Sequence, residues 1–567
     1  MHVRGTLGYG LRQLETSRLA RLVGVGALSL FGVLGLAVNE AKADTKGKVL
    51  YGKLTYDRVP STLENGLNYS AAVQKPIRNV RVVLVEYSKE GGANTELAVT
   101  TSGEDGSYSF PVPDLVTRVR VRAFAETANP PLRVQDNTNG NALYALESAA
   151  ITTTAAVTVK DLNAGSGFGG VPSYTGARAA APFASLDTLY ATARAFMAVR
   201  PLVNFPLLPI NWSVNNRPEP GDSALGQINT SHYNKGVGAI FILGKADVDT
   251  DEYDAHVMVH EWGHYFEDKM GRSDSIGGSH GSGDIVDPRL AFGEGWGNAL
   301  SAMILFPDAK YKDTGGVGQA RTTLVIDMET NDSDDPNPGW FSEASVQSVL
   351  YDLFDPANES FDNVALGLGP IYDIMTGGQK STQAVTSIFS FTKALKAVPG
   401  TSASTIAAID RLTSASGIAP IQDAFGTGET NDGGNAANLP LFRQMTVDGP
   451  SETLTFLADV DNINRLGANR YIRFTSPAAG SIQVIGDSIR DIGLTLLEDG
   501  KQIAVADNNY TGTEQFSFLA KANKVYVLTV QGFVNKSSGQ YTASVRIASG
   551  DIAGKATIVN QKTKAVR

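Results

Sequence analysis

Two kinds of apolar spacing divide the chain. From Lys46 to about Glu126 apolar residues alternate with polar ones or run in short blocks, as in VRVVLVEY (80–87), ELAVTT (96–101) and VRVRAFAE (119–126). Period-two spacing of this kind predicts strands with one buried face. Between ELAVTT and the following SYSF, Asp105-Gly106 supplies residues that tolerate positive φ, and SGEDGSYSF reads as a hairpin. Residues 129–185 are rich in Ala, Thr, Gly, Asn and Pro and read as a connector with a strand or two. The spacing then changes to three and four: Leu186, Leu189, Tyr190, Ala193, Phe196 and Met197 predict a helix over 185–199. Further helical spacing occupies 292–305, 342–354 and 381–398, and GVGAIFILG (236–244) reads as a short apolar strand between them. After the Gly/Asn/Asp stretch GTGETNDGGNAAN (426–438) strand spacing returns, from YIRFTSP through GQYTASVRI.

These blocks predict a multidomain α+β chain, as a length of 567 residues also does, since a single core rarely grows so large. The expected divisions are a β-sandwich over 44–128, a connector over 129–185, an α-rich block over 186–425, a linker over 426–454, a β module over 455–548 and a basic tail over 549–567. The turn spacing of the first module resembles the carboxypeptidase regulatory-like β-sandwiches. The strands of 455–548 resemble the bacterial pre-peptidase C-terminal domain, a jelly-roll-like module, and the linker before it predicts that it folds separately from the α-rich block.

The first residues have another character. Arg4, Arg12, Arg18 and Arg21 precede an apolar run from Leu22 to Val38, followed by NEAKAD, in which Ala41 and Ala43 fit a small-x-small cleavage pattern. This predicts a signal peptide over 1–43 and a secreted mature protein, with the periplasm or cell surface as alternatives and no membrane span. The net charge of −10 speaks against nucleic acid or an anionic membrane as partner. The absence of cysteine removes disulfides, thiolate ligands and a thiol nucleophile.

The candidate chemistry lies in VHEWGHYFED (259–268). On a helix, residues four apart share a face, so His260 and His264 can each aim a nitrogen at one cation. A catalytic zinc takes three protein ligands and keeps one position open. Glu261, one step round the helix, suits a general base better than a ligand. Ala255, Met258, Val259, Trp262 and Phe266 form the stripe that would bury this helix, with His256 expected as a buried or supporting histidine. AFGEGWGNALSAMI (291–304) offers Glu294 as third ligand and Asn298, one turn on, as hydrogen-bond partner of a ligand histidine. Gly293, Gly295 and Gly297 are poor helix formers, and a close approach of two helices sharing a metal would explain them. His280 is the rival ligand, with Asp284 behind it. DVDTDEYD (247–254) and DMETNDSDDPN (327–337) offer the oxygen ligands that calcium prefers, although neither matches an EF-hand loop.

HEWGH followed by GEGWGNALS resembles the gluzincin metallopeptidases, the thermolysin-like group, and most nearly fungalysin. That resemblance covers 186–425 loosely and 252–304 closely. It implies zinc held by His260, His264 and Glu294, Glu261 as the base that activates water, and hydrolysis of internal bonds in peptide or protein substrates. The aspartate that this family uses to hydrogen-bond a ligand histidine is replaced here by Asn298. The family also supplies a His or Tyr to the oxyanion; no histidine stands just before SEASVQSVLYDLFD (342–355), which leaves His232, Tyr233, His280 and Tyr351 as candidates. Strand 236–244 is where the family places a sheet edge that pairs with extended peptide. Two alternatives remain at this point: a non-catalytic surface or secreted binding protein with structural zinc, and a zinc hydrolase of another amide.

Overall fold

The computed structural model describes residues 47–87, 95–170, 174–281, 283–330, 335–356, 362–457, 463–508, 511–533 and 539–550. The expected signal segment 1–43 and the tail beyond 550 lie outside the described residues, and no helix among those described is long and apolar enough to cross a membrane. The protein is mixed α/β, with strands predominating, and is built around two main hydrophobic cores.

The N-terminal strands pack as two sheets. In Lys48–Arg58 the buried positions include Leu50, Leu54 and Tyr56, and in Ser107–Val112 they are Tyr108, Phe110 and Val112, so each strand turns one face to the core. Ser107–Val112 pairs with Lys48–Arg58, whereas Glu96–Thr101 pairs with Val80–Glu86 in the other sheet. The turn at 103–106 therefore carries the chain from one sheet to the other instead of closing the expected hairpin. Gly106 has the positive φ (77°) that the turn demands.

The second sheet does not stop at the module's expected edge. Its main path runs Glu96–Thr101, Val80–Glu86, Arg118–Ala128, Pro131–Asp136, Leu208–Trp212, Ala239–Ile242 and His232–Asn234. Pro131–Asp136, in the expected connector, pairs in parallel with Leu208–Trp212, so one sheet joins the N-terminal strands to the block that holds the helices. Ala239–Ile242 has a neighbour on each side, and the free edge is His232–Asn234 instead of 236–244.

Among the described residues seven helices follow the N-terminal strands: α1 (Ala180–Val199), α2 (Ala255–Lys269), α3 (Pro288–Leu305), α4 (Glu343–Asp352), α5 (Leu368–Thr376), α6 (Ile388–Lys396) and α7 (Ala403–Ala415). α1 begins five residues before its predicted start, because Ala180, Ala181, Phe183 and Ala184 are buried rather than part of a solvated connector. The helical spacing over 381–398 yields only α6, started by a capping box of Ser387 and Ser390. Phe196 of α1 stacks on Trp262 and Phe266 of α2 at centroid distances of 5.1 and 4.9 Å, which seats the motif helix against the core.

The C-terminal strands form a sandwich about the second core. One sheet orders Phe442–Gln444, Asn469–Thr475, Val525–Gly532, Ile492–Glu498 and Lys501–Ala506, and the other Glu452–Phe456, Tyr541–Ser549, Gly480–Ser488 and Gly512–Ala520.

Candidate metal centre

α2 carries three of the motif residues because its apolar stripe fixes its rotation. Met258, Val259, Trp262 and Phe266 are fully buried, which turns His260 and His264 towards α3. α3 starts at Asp287, whose side chain accepts from the Arg289 amide, with Pro288 in the first turn where a missing N–H is harmless. The glycines of GEGWGN are helical, and space explains them. A Cβ on Gly297 would sit 2.7 Å from His260 Nδ1, and one on Gly295 would sit 2.7 Å from Val346 of α4. Trp296 Nε1 donates to the Gly263 carbonyl at 3.1 Å and pins α3 to α2.

Three ligand atoms converge. His260 Nε2 lies 3.1 Å from His264 Nε2 and 3.2 Å from Glu294 Oε2, and His264 Nε2 lies 3.4 Å from the same oxygen. Bonds of about 2.0–2.2 Å to a tetrahedral zinc give ligand–ligand edges of about 3.3–3.6 Å, so this donor set fits the ion in kind and comes within about 0.2 Å of it in spacing. All three side chains are mostly buried. Burial acts to raise the Glu294 carboxyl, but His264 and His260, with His280 beyond them, outweigh it and hold it well below the usual carboxylate range.

The supporting contacts run through α3 and α4. His260 Nδ1 lies 2.7 Å from Asn298 Oδ1, so Nδ1–H donates and the Nε2 lone pair is left for the metal. Asn298 Nδ2 in turn donates to Glu343 Oε1 at 2.6 Å and to Gln347 Oε1 at 2.9 Å. An aspartate here could accept from His260 but could not donate to Glu343; the amide does both. Glu343 stands in the first turn of α4, where the helix end favours negative charge. Its other oxygen is 3.0 Å from His280 Nδ1. Neither Glu343 nor Gln347 was singled out in the sequence, although an acid in a helix's first turn with a glutamine one turn later is a visible signal.

His280 Nε2 points back to Glu294 Oε2 at 3.4 Å, so among the oxyanion candidates His280 stands beside the ligand group. Burial disfavours its imidazolium, yet Glu343 and Glu294 outweigh that and push its pKa up to about 9. The other candidates are engaged elsewhere. Tyr233 hydroxyl donates to Asp268 at 2.7 Å, His232 stacks on Phe241, and Tyr351 is buried beside Phe354. Tyr233 contributes its backbone instead: its N–H donates to Glu261 Oε2 at 2.7 Å, which sets the free sheet edge against the expected base. Asp284 is not among the ligands; it pairs with Arg465 and accepts from the Gly281 amide. His256 is buried with Nδ1 3.0 Å from Ser301 Oγ, a structural role. Of the acidic runs, Asp327 pairs with Lys310 and Asp335 accepts from Ser342 and Ser345, while residues 331–334 lie outside the described residues.

No family model and no curated protein matches the chain. Among solved structures it is similar to the pre-peptidase C-terminal domain of a collagenase from Bacillus anthracis, at 14% identity over 19% of this chain and 93% of that one, with a TM-score of 0.16. It is also similar to CorA, a surface-associated copper-binding protein of Methylomicrobium album BG8, at 10% identity over 19% of this chain and 98% of that one, with a TM-score of 0.16. A periplasmic inhibitor of g-type lysozyme from Aeromonas hydrophila follows at 14% identity, over 19% and 96%, with a TM-score of 0.13. The case for a function lies in the geometry of the site.

Proposed function

We propose that the protein is a secreted zinc metallopeptidase of the gluzincin type that cuts internal peptide bonds. The observation that carries this reading is the triangle of His260 Nε2, His264 Nε2 and Glu294 Oε2, with Glu261 on the same helix turned to the free edge of a sheet. When bound there, zinc polarises the scissile carbonyl and acidifies water. An extended peptide adding to His232–Asn234 would run beside Glu261, the strand-addition mode in which main-chain hydrogen bonds supply affinity. Glu261 takes the proton of the attacking water and returns it to the leaving amine. His280, held through Nδ1 by Glu343, offers Nε2–H to the carbonyl oxygen as negative charge develops on it.

The rival in which zinc is only structural requires a fourth protein ligand, and His280 is the residue near enough to Glu294 to be tested for it. Purified protein is incubated with a diverse peptide library, with chelator and after zinc is restored, and cuts are mapped by mass spectrometry. Internal cuts that vanish with chelator and return with zinc support the proposal. A zinc-loaded protein that cuts nothing contradicts it, and zinc lost from His280→Ala would favour the structural reading.

A further inference from the structure

We propose that Asp249, Asp251 and Asp313 form a second metal site, for a hard divalent cation of the calcium kind, at the entrance to α2. One carboxylate oxygen from each lies within 4.8 Å of the other two, inside the ~5 Å that opposite ligands on calcium span. The residues come from separate places in the chain. Asp249 belongs to the short strand Asp249–Thr250, Asp313 to the strand Lys310–Gly315 that pairs with it, and Asp251 to the turn that leads into α2.

A cluster of acids alone would say little; the unpaired oxygens say more. Asp251 is 3% exposed, and while its Oδ2 accepts from Ser231 Oγ, no donor among the described residues reaches its Oδ1. Asp254, next to the cluster and wholly buried, accepts from the Thr314 amide and hydroxyl on Oδ2 and has no such donor on Oδ1. Asp249 Oδ1 and Asp313 Oδ1 are likewise buried without a donor. No Lys, Arg or His among the described residues forms an ion pair with any of the four.

Withdrawing several carboxylates from water without counter-charge costs several kcal/mol per ion. Burial, with the neighbouring acids adding to it, pushes Asp249 up to about 6 and Asp313 up to about 7, and holds Asp251 and Asp254 well above the carboxylate range. A bound cation would supply the missing charge and the missing partners together. Carboxylate-only ligands exclude the softer preference shown by the two histidines of the zinc group, and calcium accepts mono- or bidentate carboxylates with water completing six to eight positions. Such an ion would tie the start of α2 to the strand Lys310–Gly315. That strand also carries Tyr311, whose ring lies 6.2 Å from that of His260. The site does not depend on the peptidase reading.

The test uses the full chain carrying one equivalent of zinc and freed of other divalent ions. Calcium titration by calorimetry is expected to give one ion per chain, with a rise in Tm on saturation. Asp249→Asn and Asp313→Asn, both only partly buried, are expected to weaken calcium binding by about tenfold or more while zinc content is unchanged. Three results would overturn the proposal: no calcium binding by the folded parent at millimolar concentration, equal binding by both variants, or magnesium binding as tightly as calcium. Variants that melt higher than the parent with no response to calcium would instead show carboxyls sharing protons.

Discussion

Asn298 decides how His260 presents its ring. Its Oδ1 accepts from His260 and its Nδ2 donates to Glu343, so one side chain connects a proposed ligand on α2 to the carboxylate that holds His280. Asn298→Ala is expected to lower zinc affinity by about 10–100-fold, measured by competition with a chromophoric chelator, because His260 loses its fixed tautomer and orientation. Glu343→Gln keeps the shape of the side chain but not its charge. It is expected to retain zinc and to lower kcat more than KM, since Glu343 acts through His280 and not on bound substrate; an unchanged kcat would remove His280 from the reaction. At this scale spacing alone pairs His260 with His264, because four residues on a helix are one turn, whereas Glu294 comes from a second helix and has His280 as a rival until the structure brings its carboxylate to both histidines. His280 and Glu343 stand 63 residues apart and meet through a loop, so no local pattern links them.

Helices α2 and α3 bring His260, His264 and Glu294 together only because they approach closely. Gly263 and Gly297 face each other so tightly that a Cβ on Gly263 would lie 3.1 Å from the Gly297 Cα. Gly297→Ala brings a helix-propensity gain of about 1 kcal/mol, against an overpacking cost of about 1–3 kcal/mol, and the new methyl presses on the His260 ring. The expected outcome is a lower Tm together with reduced zinc content, read by melting and metal analysis of the same sample. The amphipathic stripe of α2 was legible because its buried residues recur at helical spacing. α5 and α7 were not: α5 is nine residues with Gly369 and Pro370 in its first turn, and α7 buries little beyond Ala408, Ile409, Leu412 and Thr413. The sheet edge was assigned to the apolar 236–244. The strand that takes the edge, His232–Asn234, is polar and only half buried, as an edge exposed to solvent should be.

On the scale of the whole molecule the C-terminal sandwich touches the loop that carries His280. Asn464 Nδ2 donates to the Gly277 and Ser279 carbonyls at 3.0 Å each, and its own carbonyl accepts from the Asp287 amide at 2.7 Å. Tyr471 hydroxyl reaches both carboxylate oxygens of Asp287, the residue that caps α3. Asn464→Ala is expected to leave zinc content unchanged and to reduce turnover, because it frees the His280 loop without touching a ligand; kcat and metal content measured together check it. Tyr471→Phe is expected to destabilise the chain by about 1 kcal/mol, the net worth of a lost hydrogen bond, since each oxygen of the buried Asp287 carboxylate keeps a donor on Arg289; denaturant unfolding reads this. Most strands of this sandwich were legible from their alternation, but Phe442–Gln444 and Glu452–Phe456 fall in or at the end of the stretch expected as linker. Its hold on the helical block was not legible, because scattered single residues make it: Asn464, Tyr471, and Phe442, whose ring meets that of Phe425 at 5.1 Å.

In the proposed function three side chains hold the metal and a fourth moves the proton. Zinc content and peptide cleavage measured side by side on Glu261→Gln and Glu294→Ala test it most directly. Glu261→Gln should keep one zinc per chain and lose about 10²–10⁴-fold in cleavage rate, the usual worth of general acid–base catalysis, while Glu294→Ala should lose most of its zinc. A Glu261→Gln protein that cleaves like the parent, or a Glu294→Ala protein with its zinc intact, would contradict the account.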